Sequence, residues 1–173
     1  MKTLKIILVL LGAAFLANAQ EGVVRASTKL NTNFETYKTF AWSQSPSPNE
    51  LIKNSIKQEL VARGYQQSDV NPDLVISYQV LEKRTSVKGF VNDEPTVVAG
   101  EEVRQPQDTT TFTLEPGTLM ISMADRKTSV VVWDGFASGV EQGNAYATDE
   151  KKVKDIVHKI FEQFKYRVTP MEN

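Results

Sequence analysis

Residues 117–139 read GTLMISMADRKTSVVVWDGFASG and predict a β-hairpin. Leu119, Ile121 and Met123 recur at every second position, which is the period of a strand with one buried face. The polar segment 125–128 then interrupts the pattern, and a β-branched run follows it. This order predicts two antiparallel strands joined by a turn.

Two further strands are predicted before the hairpin. Residues 74–80 place Leu74, Ile76 and Tyr78 at alternating positions, which again predicts one buried face. An earlier extended stretch runs from Tyr37 to Trp42.

The first of two amphipathic helices is predicted over residues 48–63. Its apolar residues stand four apart from Ile52 to Leu60, as on one face of a helix. The segment from Ser47 to Glu50 combines a capping-box pair with proline at the first helical position. Gly64 stands where a left-handed C-terminal cap belongs.

The second helix is predicted to begin near Thr148-Asp149-Glu150 and to run to Phe164. Acidic residues suit a helix N-terminus, and the wide apolar stripe that follows predicts packing on the protein's own sheet. The order of strand, helix, strand, hairpin and helix predicts an α+β fold. We expect an antiparallel sheet of four or more strands, with both amphipathic helices packed on one face.

Residues 84–116 form the least regular part of the sequence. They contain three prolines, two glycines and six acidic residues against three basic ones. A structureless connection of this length is uncommon in a compact domain. The segment therefore predicts either a long polar connection or an extra edge hairpin through Thr96 to Ala99 and Thr109 to Leu114.

The N-terminus has the three parts of a secretory signal peptide. Lys2 and Lys5 precede the apolar run from Ile6 to Ala17, and the small-residue pattern Ala17-Asn18-Ala19 follows. The 12 apolar residues of that run are fewer than the roughly 20 that a membrane-spanning helix needs. We therefore predict cleavage near Ala19-Gln20, a single domain over residues 20–173, no stable transmembrane anchor, and a soluble periplasmic or secreted product.

Composition excludes several classes of function. The chain has no cysteine and one histidine, so a thiolate metal site, a thiol nucleophile or a histidine-rich zinc site has few ligands to use. The signal segment carries two lysines and no acid, so its removal changes the formal net charge from −1 to −3. Because no basic stripe with interleaved aromatic residues is present, we expect no nucleic-acid partner.

The possible catalytic residues are few and scattered. His158 is predicted to face water on the second helix, and Ser138 stands one place too late for a GxSxG nucleophile elbow. Asp125 and Asp134 are candidates for acid–base chemistry, although both suit turns and strand edges. The acidic pairs Asp93-Glu94 and Glu101-Glu102 lack the spacing of a calcium-binding loop, so we expect no metal and no cofactor.

Aromatic residues on the predicted strands allow two interpretations. They can line an apolar ligand pocket, because such pockets are mostly apolar with few polar groups. Core packing explains them as well, and alternating positions on strands favour it. The residues concerned are Tyr37, Phe40, Trp42, Tyr78 and Trp133.

Five segments, in this order, resemble the bacterial envelope family known as the DUF4136 domain. They are Asn33 to Trp42, Ala62-Arg63-Gly64-Tyr65, Asn71 to Tyr78, Gly117 to Ile121, and Val132-Trp133-Asp134-Gly135, within residues 24 to about 165. The resemblance implies a small α/β domain of exported proteins, many of them lipoproteins, with no established activity and no catalytic residues to transfer. This chain lacks the lipid-bearing cysteine, which favours a free periplasmic or secreted form.

The sequence thus favours a non-enzymatic envelope domain that binds a protein partner or an apolar ligand. The alternatives are a carboxylate- or metal-dependent envelope hydrolase and a purely structural envelope protein. No ligand-binding residue is assigned, and the oligomeric state stays open.

Overall fold

The computed structural model describes residues 23–44, 48–90, 96–98, 101–103, 109–138 and 148–168. The helices are α1 (Glu50–Ala62) and α2 (Glu150–Glu162), with a short 3-10 helix at Phe34–Thr36. The strands are β1 (Val23–Thr28), β2 (Thr39–Trp42), β3 (Gln66–Gln67), β4 (Leu74–Val80), β5 (Thr85–Phe90), β6 (Thr96–Val98), β7 (Glu101–Val103), β8 (Thr109–Leu114), β9 (Leu119–Asp125) and β10 (Val131–Ser138). The α+β fold class predicted from the sequence is confirmed.

The main sheet has six strands in the order β1-β10-β9-β4-β2-β3. Strands β9 and β10 form the predicted antiparallel hairpin, and β1 and β4 flank it in antiparallel pairs. The sheet is mixed rather than antiparallel throughout, because β2 pairs in parallel with both β3 and β4. Helix α1 lies between these strands in the chain and returns it to the end of the sheet where β2 began, so the strands run parallel.

Both helices pack on one face of this sheet, as predicted. Ile52, Ile56 and Leu60 of α1 are fully buried in a core that the inward-facing residues of β4 and β9 also form. The apolar stripe of α2 lies in the same core: Val153, Ile156, Val157, Ile160 and Phe161. The apolar residues that recur along each helix are therefore the residues that pack against the sheet.

The start of α1 differs from the prediction. Asn49 is the N-cap, and its side-chain oxygen accepts from the amides of Leu51 and Ile52 at 3.0 and 3.1 Å. Pro48 therefore precedes the cap instead of occupying the first helical position. Asn49 is a strong N-cap residue, and because the helix begins two residues later than the capping box predicts, the amides that it satisfies are those of Leu51 and Ile52. Gly64 adopts φ of +89°, as its predicted role at the end of the helix requires.

Residues 84–116 contain two short β-ribbons. Strand β8 pairs with β5, whereas β6 pairs with β7, so Thr96–Val98 does not pair with Thr109–Leu114. The ribbon of β5 and β8 covers part of the sheet face away from the helices. Leu81, Leu114 and Phe136 form a second small core there.

The predicted signal peptide, residues 1–19, lies outside the described residues. Among the residues that the structure describes, no helix is long and apolar enough to span a membrane.

Candidate functional site

A polar cleft of about 530 Å³ lies at the end of the sheet where β4 begins and β9 ends. The loop after β1, the short 3-10 helix, the residue before β4 and the β9–β10 turn form its walls. Twelve residues line it: Lys29, Leu30, Asn31, Thr32, Asn33, Thr36, Tyr37, Asp73, Asp125, Lys127, Thr128 and Val132. The volume is within the range of about 300–1,000 Å³ that small-molecule sites occupy.

Asp73 holds one wall of the cleft to the start of the parallel strands. Its Oδ2 accepts from the backbone amides of Lys38 and Thr39 and from the Thr39 hydroxyl, each at 2.9 Å. The Thr39 Oγ1 in turn accepts from the Asp73 amide at 3.0 Å. Burial raises the pKa of the Asp73 carboxyl, but these hydrogen bonds and the charge of Lys127 outweigh it and lower the pKa overall.

Asp125 holds the β9–β10 turn in a similar way. Its Oδ1 accepts from the amide and hydroxyl of Thr128, and its Oδ2 accepts from the Tyr37 hydroxyl at 2.8 Å. The bonds from Thr128 are the main reason that the pKa of Asp125 is lowered. Burial and the neighbouring Asp125 raise the pKa of Tyr37 to about 12. Both carboxylates of the cleft are therefore ionised at neutral pH, and the phenol is neutral.

Several polar side-chain atoms of the cleft take no part in the hydrogen bonds of Asp73 and Asp125 described above. Lys29 and Lys127 line the cleft, and neither ammonium group forms an ion pair within the described residues. The Asn33 Oδ1 accepts from Glu35, but its Nδ2 has no partner among these residues. The Oδ1 of Asp73 likewise accepts no hydrogen bond from them. These groups keep hydrogen-bonding capacity at the cleft.

Asp134 lies on the opposite face of the sheet from Asp125. Asp125 and Met123 stand two positions apart on β9, so both side chains point to the face of the sheet that carries the helices. Asp134 accepts a hydrogen bond from Ser122, whose side chain points to the opposite face of the sheet. The central position of Asp134 on β10 corrects the expectation of a turn or edge residue. Burial raises the pKa of this carboxyl, and the Ser122 bond offsets only part of the rise.

Of the acidic candidates, the structure describes the side chains of Asp125 and Asp134 alone, and it does not bring these two together. Asp93 and Glu94 lie outside the described residues, and the side chains of Glu101 and Glu102 are outside them too. Within the described residues, no group of three or more histidine or acidic side chains is placed to hold a metal ion.

His158 is exposed on α2, as predicted, with 59% of its side chain accessible. It is not isolated, because its Nδ1 lies 2.9 Å from the Glu59 Oε1 on α1. Ser138 is hydrogen-bonded to the Thr118 hydroxyl at 2.9 Å. Each contact is structural, and neither residue lines the cleft.

Most of the aromatic candidates are core residues. Phe40, Trp133 and Tyr78 are at most 5% exposed, and Trp42 packs edge-on against Phe40 and Tyr78. Tyr37 is the exception, because it is part of the cleft wall. The packing interpretation is confirmed for Phe40, Trp42, Tyr78 and Trp133.

The fold and site together define a small two-layer α+β domain with a polar cleft at one end of its sheet. The sequence profile of the family described as "Domain of unknown function (DUF4136)" matches residues 24–164. The chain belongs to the DUF4136 family.

Solved structures agree on the fold. A DUF4136 family protein from Bacteroides thetaiotaomicron superposes with a TM-score of 0.57 at 15% identity, over 86% of this chain and 98% of that one. A PDZ domain protein from Parabacteroides distasonis gives a TM-score of 0.51 at 19% identity, over 86% of this chain and 37% of that one. At these identities the likeness shows the fold alone. None of the curated proteins matches this chain significantly.

The family segments have identifiable structural roles. Thr39 and Asp73 join two of them at the start of the parallel strands, and Arg63 joins the ends of the two helices through the carbonyls of Phe161 and Phe164. Sequence reasoning missed Lys29 and Lys127, because two surface lysines carry no spacing signal. Asp73 was part of a segment that resembles the family, but it was not predicted as a site residue.

Proposed function

We propose that this chain is an exported, non-enzymatic domain of the bacterial cell envelope that binds a ligand or partner protein at the sheet-end cleft. The N-terminal pattern from Lys2 to Ala19 supports export. The missing lipid-bearing cysteine favours a free periplasmic or secreted form.

The observation that carries the binding role is the state of the two carboxylates in the cleft. Asp73 and Asp125 are both held in place by internal hydrogen bonds, and both have lowered pKa values. A general acid or base works best with a pKa near the working pH, and these shifts move both groups away from it. The cleft is thus built as a rigid, permanently charged surface, which suits recognition more than proton transfer.

The distribution of exposed apolar residues also favours the polar cleft as the binding site. A docking face for a protein usually presents a contiguous apolar patch. Among the large exposed apolar residues of the described part, Val23 lies on β1, Val61 on α1 and Val70 in the loop before β4, so these three do not form one patch. The sheet face away from the helices is partly covered by the ribbon of β5 and β8. Support for an apolar ligand is correspondingly weaker than support for a polar one.

Export is tested by fractionating the native bacterium and sequencing the N-terminus of the tagged protein. We expect a mature start at Gln20 in the periplasmic or secreted fraction, and loss of processing in Ala19→Arg. An unprocessed wild-type chain in the cytoplasm contradicts the proposal.

Binding is tested by co-sedimentation of the mature chain with washed envelopes of the same bacterium. The cleft variant Asn33→Asp with Lys127→Ala should lose retention. The matched control Asn54→Asp with Lys57→Ala makes the same two changes on the exposed surface of α1 and should be retained like wild type. Equal retention of both double variants removes the support for the cleft.

A further inference from the structure

The charges around the cleft are balanced. Asp73 and Asp125 supply two anionic groups, and Lys29 and Lys127 supply two cationic ones. Both carboxylates are kept ionised by their hydrogen bonds. A lining without net charge does not select a phosphate or a free metal ion by its field, so the ligand is selected by hydrogen bonding and shape.

The groups left for a ligand are both donors and acceptors. Asn33 Nδ2 and the two ammonium groups donate, and the unused Oδ1 of Asp73 accepts. The Tyr37 hydroxyl donates to Asp125 and keeps the capacity to accept from a ligand. A hydroxyl group both donates and accepts, so a hydroxyl-rich molecule satisfies such a lining.

The cleft also has an apolar part. Leu30, which is 37% exposed, lines it together with Tyr37 and with Val132, which is 4% exposed. A pyranose ring presents hydroxyls at its edge and C–H groups on its faces, so it matches a wall of this mixed kind. Inorganic ions have no such apolar face.

We infer that the cleft binds a neutral saccharide unit, with Asp73 and Asn33 contacting its hydroxyls and Lys127 closing one side. This inference rests on the proposed function, because it assigns a ligand class to the same site. Either a free saccharide or a glycan of the envelope supplies this chemistry.

The test is an amide NMR titration of the mature chain with three neutral disaccharides: maltose, cellobiose and N,N′-diacetylchitobiose. Glycylglycine and inorganic phosphate serve as charged comparators. We expect at least one disaccharide to shift the amides of residues 29–33 and 126–128 in a saturable way. No shift with any of the three, or larger shifts of the same amides with glycylglycine or phosphate, overturns the inference.

Two variants connect the signal to named groups. Asn33→Asp keeps the oxygen that accepts from Glu35 and replaces the Nδ2 donor, which has no partner among the described residues, by an anionic oxygen. Lys127→Ala removes an exposed ammonium group. Losing one hydrogen bond should weaken binding about three- to tenfold in each. Asn54→Asp and Lys57→Ala on α1 should leave it unchanged. Unchanged affinity in both cleft variants, with the remaining amides at their wild-type positions, refutes the assignment.

A competition experiment separates the two sources of saccharide and the two proposals. If the shifting disaccharide displaces the mature chain from envelopes, the bound source includes an envelope glycan. If it binds without displacing the chain, a free saccharide is the ligand. Cleft-dependent envelope retention without any disaccharide binding overturns the saccharide inference alone. Disaccharide binding without cleft-dependent retention overturns the proposed envelope binding alone.

Discussion

Substitution of Arg63 by alanine should produce a large loss of stability. The Arg63 side chain is 9% exposed, and its Nη2 donates to the carbonyl of Phe161 at 2.8 Å. Its Nε donates to the carbonyl of Phe164 at 3.4 Å, and its Nη1 pairs with the Glu59 carboxylate. The guanidinium also lies 5.1 Å from the centre of the Phe161 ring. A cation at the C-terminal carbonyls of α2 is favourable because the helix dipole is negative there.

The size of the effect follows from what the substitution leaves without a partner. A hydrogen bond to a charged group contributes about 1.5–3 kcal/mol, and removing one member of a buried ion pair costs about 3–5 kcal/mol. Glu59 keeps 19% exposure and a second contact to His158 at 2.9 Å, which favours the lower end. We expect Arg63→Ala to reduce the free energy of unfolding by about 3 kcal/mol.

Urea unfolding followed by the fluorescence of Trp42 and Trp133 measures this loss. With an m-value of about 2 kcal/mol/M, the midpoint should fall by about 1.5 M. Arg167→Ala is the matched control, because that exposed arginine makes one bond of 3.3 Å to the carbonyl of Ala62. The control should lose no more than about 0.5 kcal/mol. A loss below about 1 kcal/mol for Arg63→Ala would refute the reasoning, since an exposed ion pair contributes that much.

Three further outcomes are expected. Gly135→Ala should cost about 1–3 kcal/mol by overpacking, because a Cβ at this position would lie 2.3 Å from the Trp133 ring; an unchanged urea midpoint contradicts this. Burial raises the pKa of Asp134, so its contribution to stability is lost as pH rises through the folded-state pKa. Asp134→Asn should therefore be more stable than wild type at pH 7, and a urea midpoint below that of wild type contradicts it. Tyr37 and Tyr65 have pKa values raised from 10.0 to about 12, so stability should fall as pH rises from 10 to 12. Absorbance titration of the phenols measures this, and two normal titrations at pH 10 would contradict it.

The sequence predicted the elements with a strong period and missed those without one. Helix α2 and strand β9 were predicted because each has one continuous buried face. Strand β10 is buried on both faces, and its β-branched run predicted it. Strand β1 was missed, because only Ser27 within Val23–Thr28 is fully buried and the apolar alternation is weak. The parallel pairing of β2 with β4 was also missed, although a helix between two strands is the usual connection of a parallel pair.

The candidate site was harder to predict than the fold. Its residues come from five separate segments, around 29–33, 36–37, 73, 125–128 and 132, and nothing in their spacing relates them. Asp125 was a candidate for catalysis, and its environment explains why that role is unsupported: Tyr37 and Thr128 hold it as a structural acceptor. Such a role depends on distances between remote segments, which a single sequence does not contain.

Some residues of this chain hold the fold together and others determine the charge of the cleft. This difference explains why family membership identifies the fold without the ligand. Thr39, Asp73 and Arg63 lie in the segments that carry the resemblance, and their hydrogen bonds join strands or helices. Lys29 and Lys127 line the cleft and lie outside those segments, whereas the proposed ligand contacts Asn33 and Asp73 lie within them. Substitutions at these two lysines leave the hydrogen-bonded frame intact, so proteins of the same fold are free to differ in cleft charge. The ligand class therefore has to be determined from the cleft of each chain.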